Sequence, residues 1–427
     1  MVKLFKNPAI IYVVGNILNK GSSVLTLPLF TRYLEPAEYG IVAFCLLFPA
    51  LLHPAITLGQ SISFAPLYFK YPSQEWRQKV CDMMTLNIIL IILLSILLVI
   101  IFFPQVQEKI IADKTTAHYL SITYIFTLVG AVTSPYLMRL QLDQRPFQYM
   151  SINLAMTFIN VASTIVFLVK FDMGGISLIY GYCLSQVFLF IFYFKKMICT
   201  LIRSVLYKSY DKTCAFDLIR TGVILLPSSF IVYFLYNSIR MHFTNINANV
   251  ELGIYSAAFS VSTIVTLFIN GILSAWLPWS LNINLDWHSY VKIANRKIGL
   301  YFVLIVLYLL VMYLSFPLWY PILVGPQYKI DVMTIILLTC GHIFWGMHQI
   351  FQIPLYLENK IYLINFIQGA ALVALLFSIY VFQPITHASA STIFFCTGLV
   401  CFILQIFTNS VIGKNYIWLP TFGRNKT

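Results

Sequence analysis

Three cations, Lys20, Arg32 and Arg240, lie within or at the ends of stretches whose neighbours are mostly apolar. A cation at depth in a nonpolar medium is costly unless an anion meets it or water reaches it. Lys20 falls about 18 Å along a helix begun near residue 8, at about 1.5 Å per residue, too deep to snorkel easily to an interface. Polar residues recur beside these cations at helical spacing. Tyr12, Asn16, Asn19, Lys20 and Ser23 make one stripe, and Ser229, Tyr233, Asn237 and Arg240 another. Further stripes are His53, Thr57, Gln60 and Ser61; Ser256, Ser260, Thr263, Asn270 and Ser274; and His342, Gln349 and Gln352. Stripes of this kind either line a wet cavity or hydrogen-bond neighbouring helices. The second reading suits the Ser256 stripe and the isolated Gln186 and Gln405 at least as well, and it stays open for His53 and His348. All fourteen acids, Asp82 among them, fall in loops or at helix ends. Interior cations without a carboxylate suit an anionic cargo, above all one carrying phosphate. They count against an exporter of cationic drugs and against a membrane carboxylate as the coupling site.

These residues need elements that cross a membrane. The chain has 427 residues, 60% of them apolar and 10% charged. Soluble domains hold about 45–50% apolar and about 25% charged residues. Mean hydropathy is +0.84. Cytosolic enzymes, disulfide scaffolds and disordered chains are excluded on that ground. At about 20 apolar residues per span, twelve transmembrane helices are expected. They cover 9–34, 38–68, 80–103, 116–140, 147–169, 174–195, 217–243, 251–279, 298–318, 328–356, 361–382 and 388–412. The first reads as a retained helix, since no small-residue cleavage site follows it. With the N- and C-termini in the cytoplasm, 20 of the 27 basic residues lie on the cytoplasmic side and 6 on the other. This is the bias that orients membrane proteins. It accounts for the net charge of +13 without a nucleic-acid partner. The eight scattered cysteines form no CxxC pair and read as small apolar fillers, so neither metal nor cofactor is expected. There is no P-loop, GxSxG or HExxH. Pro28, Pro49, Pro54, Pro66, Pro135, Pro227, Pro278 and Pro354 fall inside spans, where proline kinks helices and frees carbonyls.

The two halves of the chain echo each other. Glu38-Tyr39-Gly40-Ile41 and Glu251-Leu252-Gly253-Ile254 open spans 2 and 8 at an offset of 213 residues, and Phe103-Pro104 and Phe316-Pro317 repeat that offset. Leu142-Asp143-Gln144-Arg145 and Leu357-Glu358-Asn359-Lys360 follow at 215. Six spans per half make a parallel repeat, with a substrate site expected between the lobes. The expected organisation is an N-lobe over 1–195, an amphipathic helix on the cytoplasmic surface over 196–216, and a C-lobe over 217–427.

The run from Gly15-Asn16-Ile17-Leu18-Asn19-Lys20-Gly21 through Leu27-Pro28-Leu29 to Thr31-Arg32-Tyr33-Leu34-Glu35-Pro36-Ala37-Glu38-Tyr39-Gly40 resembles the N-terminal signature of Wzx-type polysaccharide flippases. These belong to the multidrug/oligosaccharidyl-lipid/polysaccharide exporter superfamily. The resemblance implies an all-α, two-lobed, V-shaped alternating-access transporter in the bacterial inner membrane. It implies an undecaprenyl-pyrophosphate-linked oligosaccharide, the O-antigen repeat unit of lipopolysaccharide, as cargo. Membrane lipids and other polysaccharide-assembly membrane proteins are the further partners. On that reading Lys20, Arg32 and Arg240 attract the pyrophosphate. Asn16, Asn19, Gln60, Asn237 and Gln349 hydrogen-bond sugar or phosphate, and Tyr233 and Trp276 stack on sugar rings. His53 or His342 would serve as the coupling residue, since imidazole titrates near neutral pH. A small-molecule antiporter of the same fold and an intramembrane polymerase or ligase of the same glycan are the alternatives.

Overall fold

The protein is described by a computed structural model covering residues 26–70, 73–110, 114–143, 145–206, 211–269, 273, 287–353, 355 and 360–412. The described residues contain no strand. The helices are α1 (26–33), α2 (Pro36–Cys45), α3 (Phe48–Ile56), α4 (Gln60–Tyr68), α5 (Gln74–Ile110), α6 (Lys114–Leu142) and α7 (Pro146–Ile165). They continue as α8 (Ile176–Leu206), α9 (Lys212–Asn245), α10 (Asn249–Ser262), α11 (264–269), α12 (Trp287–Leu323), α13 (Val332–Phe351), α14 (Ile361–Phe382) and α15 (His387–Ile412). A single π-helical turn, Val166–Lys170, extends α7. Among the described residues, eleven helical stretches are long and apolar enough to cross a membrane. They match the expected spans 2 to 12. Most of span 1 lies outside the described residues. Leu93, Leu97 and Ile100 on α5, and Leu314 and Leu318 on α12, present bare apolar side chains outward. Such surfaces are stable against lipid and unstable against water.

Three expectations are corrected. Span 2 is not one helix. It breaks between α2 and α3 and again at Thr57–Gly59, where Leu58 and Gly59 take φ of 45° and 69°. Pro49, Pro54 and Pro66 cannot donate to a helical ladder, which weakens the run. Gly59 also abuts Gly222 of α9, and a Cβ on either residue would strike the other's backbone. The break is therefore a close helix–helix crossing open only to glycine. Secondly, 196–216 is not a separate surface helix. α8 runs unbroken to Leu206 and α9 starts at Lys212. Thirdly, Asp82 is not at a helix end. α5 begins at Gln74, so Asp82 lies two turns inside it and is 4% exposed.

That buried carboxylate is fully engaged. It accepts hydrogen bonds from Gln78 at 2.7 Å, Thr200 at 2.8 Å and Arg203 at 2.8 Å. Nearby, Asp143 accepts from the Tyr68 hydroxyl at 2.6 Å and pairs with Arg139 and Arg77 at 3.5 and 3.8 Å. Arg77 also lies over the Tyr68 ring at 5.5 Å, and Arg139 donates to Gln78. These contacts tie α4, α5, α6 and α8 together at one end. Asp211 caps α9 beside them. The Lys79 ammonium at 2.5 Å, and the donors of Thr213 and Cys214, hold its carboxyl well below the usual carboxylate range.

The described residues of Tyr33–Asn237 pack as one compact unit, and those of Ser23–Arg32 and Ser238–Thr427 as another. Most of α9 falls in the first unit and α1 largely in the second. The repeat survives at the level of contacts. Glu38 in the first turn of α2 accepts the Gly175 N–H at 2.6 Å, just before α8. Glu251 in the first turn of α10 accepts the His387 N–H at 2.7 Å, at the start of α15. Acid and donor recur at offsets of 213 and 212 residues. In each unit a carboxylate neutralises the positive end of a helix dipole.

Candidate functional site

Arg240 stands near the end of α9, two turns beyond Tyr233 and on the same face as Tyr233 and Asn237. All three are at least nine-tenths buried. Asn237 turns its amide onto the Tyr233 carbonyl at 2.9 Å, so part of its hydrogen-bonding capacity is used within its own helix. The Arg240 guanidinium lies over the Phe259 ring at 4.3 Å from the centroid. Stacking of this kind suits a weakly hydrated, delocalised cation in a desolvated place. Phe259 of α10 also meets the His342 imidazole of α13 edge-on at 4.7 Å and Phe394 of α15 at 5.4 Å. His342 is 1% exposed and meets Phe394 at 5.1 Å. Two residues singled out from the sequence, Arg240 and His342, are thus brought together through one aromatic ring. Phe259 and Phe394 carried no sequence signal, being aromatic residues among many in apolar runs.

Arg32 is placed differently. It is exposed, and it donates to the carbonyls of Pro321 and Ile322 at 3.1 and 3.0 Å and to that of Pro28 at 3.3 Å. The first two belong to the last turn of α12, whose carbonyls lack partners along the helix. Thr31 adds a hydrogen bond from the Gly325 N–H at 2.9 Å, so α1 clamps the end of α12. Gln60 is fully buried and accepts from Asn87 at 3.0 Å, which itself donates to the Ala215 carbonyl. It joins α4 to α5, and Asn87 joins α5 to α9. His53 on α3 and Gln349 on α13 are partly exposed. Lys20, Asn16, Asn19 and Trp276 lie outside the described residues.

Other stripe residues act as helix glue. Ser260 and Thr263 return their hydroxyls to carbonyls of their own segment at 2.9 and 2.7 Å. Gln405 and Asn409 of α15 both donate to the Phe351 carbonyl, at 3.4 and 2.9 Å. Phe351 ends α13, in the last turn, where carbonyls lack main-chain partners along the helix. Gln368 reaches the His348 ring at 3.3 Å.

The chain matches the family described as "Polysaccharide biosynthesis protein" over residues 5–284. No curated protein matches it. Among solved structures it is similar to an inward-facing multidrug resistance MATE family transporter of the MOP superfamily. That match has a TM-score of 0.62 and 13% identity and covers 96% of each chain. It is similar to the lipid II flippase MurJ in an inward closed conformation, with a TM-score of 0.62 and 15% identity. There the coverage is 93% of this chain and 87% of that one. An outward-facing MATE family transporter matches with a TM-score of 0.58 and 14% identity, over 96% and 97% of the two chains. The fold is that of the MOP-superfamily transporters.

Proposed function

The chain belongs to the polysaccharide biosynthesis protein family, and from that premise we propose that it is a flippase for a lipid-linked glycan. The cargo is an undecaprenyl-pyrophosphate-linked oligosaccharide of the O-antigen repeat type. It moves from the cytoplasmic to the periplasmic leaflet of the bacterial inner membrane by alternating access, with no covalent step. The observation that carries the reading is the buried guanidinium of Arg240 inside a membrane-crossing helix. A cation kept at that depth suits a diphosphate, because fixed donors in a low-dielectric place bind phosphate oxygens strongly. The likeness to the lipid II flippase supports a lipid-borne cargo. Lys20, Arg32 and Arg240 attract the pyrophosphate. Asn16, Asn19, Gln60, Asn237 and Gln349 contact sugar or phosphate, and Tyr233 and Trp276 stack on the rings. His53 or His342 is the coupling residue.

The test is lipid analysis of a host lacking the gene. The expected result is accumulation of the lipid-linked repeat unit facing the cytoplasm, with loss of surface polysaccharide and restoration by wild type but not by Arg240→Gln. A repeat unit that reaches the periplasm unpolymerised would identify a polymerase or ligase instead. Unchanged glycan with altered drug resistance would identify an antiporter.

A further inference from the structure

At the tied end of the first unit, α6 and α8 enclose a cavity of about 470 Å³. Arg139, Arg145, Lys195, Lys196 and Arg203 line it against one carboxylate, Asp143. Asp143 takes up Arg139, and Asp82 behind the wall takes up Arg203. Three positive charges remain. Lys196 rests over the Tyr193 ring at 5.1 Å. Arg145 and Lys195 have no carboxylate within ion-pair distance among the described residues. Like charges converging on one hollow repel each other, and an anion in the hollow reverses that penalty.

The surroundings indicate where the anion comes from. On α8 the cations interrupt a belt of bare apolar side chains. Ile191, Phe192 and Phe194 precede Lys195, and Ile198 and Ile202 lie between Lys196 and Arg203. Phe147, 63% exposed, follows Arg145 by two residues. A free phosphate has no use for such a belt, whereas acyl chains do. The charge bias of the sequence places this end of the unit in the cytoplasm, the side where basic pockets between helices meet anionic headgroups.

We propose that this cavity binds the phosphate headgroup of a membrane lipid, with Arg145, Lys195 and Lys196 as its ligands and the α8 belt holding the chains. The site is separate from the Arg240 cluster and does not depend on the flippase reading. Two lipids present the same chemistry, an anionic phospholipid and a polyprenyl diphosphate, and soluble pyrophosphate presents it without chains.

The experiment uses the full-length protein in phosphatidylcholine nanodiscs, with bound lipid counted by native mass spectrometry. Cardiolipin, undecaprenyl diphosphate and inorganic pyrophosphate are added in separate arms. Wild type should retain one or both charged lipids in preference to phosphatidylcholine. The Arg145→Gln/Lys195→Gln variant should weaken that retention about tenfold or more, as expected for two lost charges near an anionic headgroup. Arg145→Lys/Lys195→Arg should restore it. Retention of cardiolipin alone would mark an annular regulatory lipid; retention of undecaprenyl diphosphate alone would mark a waiting station for polyprenyl carriers. Either supports the site. Wild type that shows no preference over phosphatidylcholine overturns it, as does binding of pyrophosphate with no charged lipid. Equal retention by the glutamine variant overturns it too. The wild-type preference remains decisive if that variant fails to insert.

Discussion

Replacing Asp82 with Asn removes one negative charge from a site that accepts three donors within 2.8 Å. A charge-assisted hydrogen bond is worth about 1.5–3 kcal/mol and a neutral one about 1 kcal/mol. Arg203 is 45% exposed on its side chain, so water recovers much of its loss and roughly half the first figure survives. Thr200 is 2% exposed and cannot rehydrate, so its bond counts nearly in full. The expected cost of Asp82→Asn is therefore about 2 kcal/mol, a shift of roughly 30-fold in the folding equilibrium at about 1.4 kcal/mol per decade. Reversible unfolding in mixed micelles, followed by tryptophan fluorescence and helicity together, measures it. The double-mutant cycle with Arg203→Gln should show coupling of about 1 kcal/mol. If the two substitutions simply add, the carboxylate and the guanidinium do not support one another, and the account of this end of the unit is wrong.

Other outcomes follow from the same structure. Glu38→Gln and Glu251→Gln should each lower stability by about 1 kcal/mol, since each keeps an acceptor but loses the charge at a helix N-terminus; equal unfolding midpoints to wild type for both would refute the shared contact. Gly222→Ala sets a Cβ against the backbone of Leu58 and Gly59 and should cost about 1–3 kcal/mol by overpacking, with Ala at exposed Val223 as the harmless control; thermal inactivation at the wild-type temperature would count against the crossing. Asp211 has a lowered carboxyl pKa when folded, so its contribution is complete above the unfolded value of about 3.9 and is lost as pH falls below it. Asp211→Ala should destabilise by about 1 kcal/mol at pH 7 and by less at pH 3, compared by melting in detergent at both pH values.

The spans were legible because a run of about 20 apolar residues has few alternatives in a membrane. The repeat was legible because Glu38 and Glu251 open corresponding helices, although nothing in sequence named Gly175 and His387 as their partners. Breaks in span 2 were half visible. Its prolines announced kinks, but the turn at Leu58 and Gly59 depends on Gly222, which belongs to a distant helix. Asp82 was misplaced because span 3 was expected to begin at residue 80, where its apolar run starts, whereas α5 begins at Gln74. The candidate site divided along the same line. Arg240 and His342 stood out as polar residues in apolar surroundings, yet their meeting at Phe259 is non-local. Arg32 stood out equally and is engaged in capping α12, because charge in an apolar stretch does not distinguish ligand binding from helix capping.

The paired contacts of Glu38 with Gly175 and Glu251 with His387 bear on how such a chain arose. An ancestor of half this length would already have contained the acid and the helix end that it holds, so each copy could close its own bundle before fusion. Six spans return a chain to the side it started from, so two such copies would enter the membrane in the same orientation and needed no dual topology to associate. In the second half the residue at the held helix end is a histidine, whose ring adds a bond of 2.8 Å to the carboxylate that the glycine of the first half cannot make.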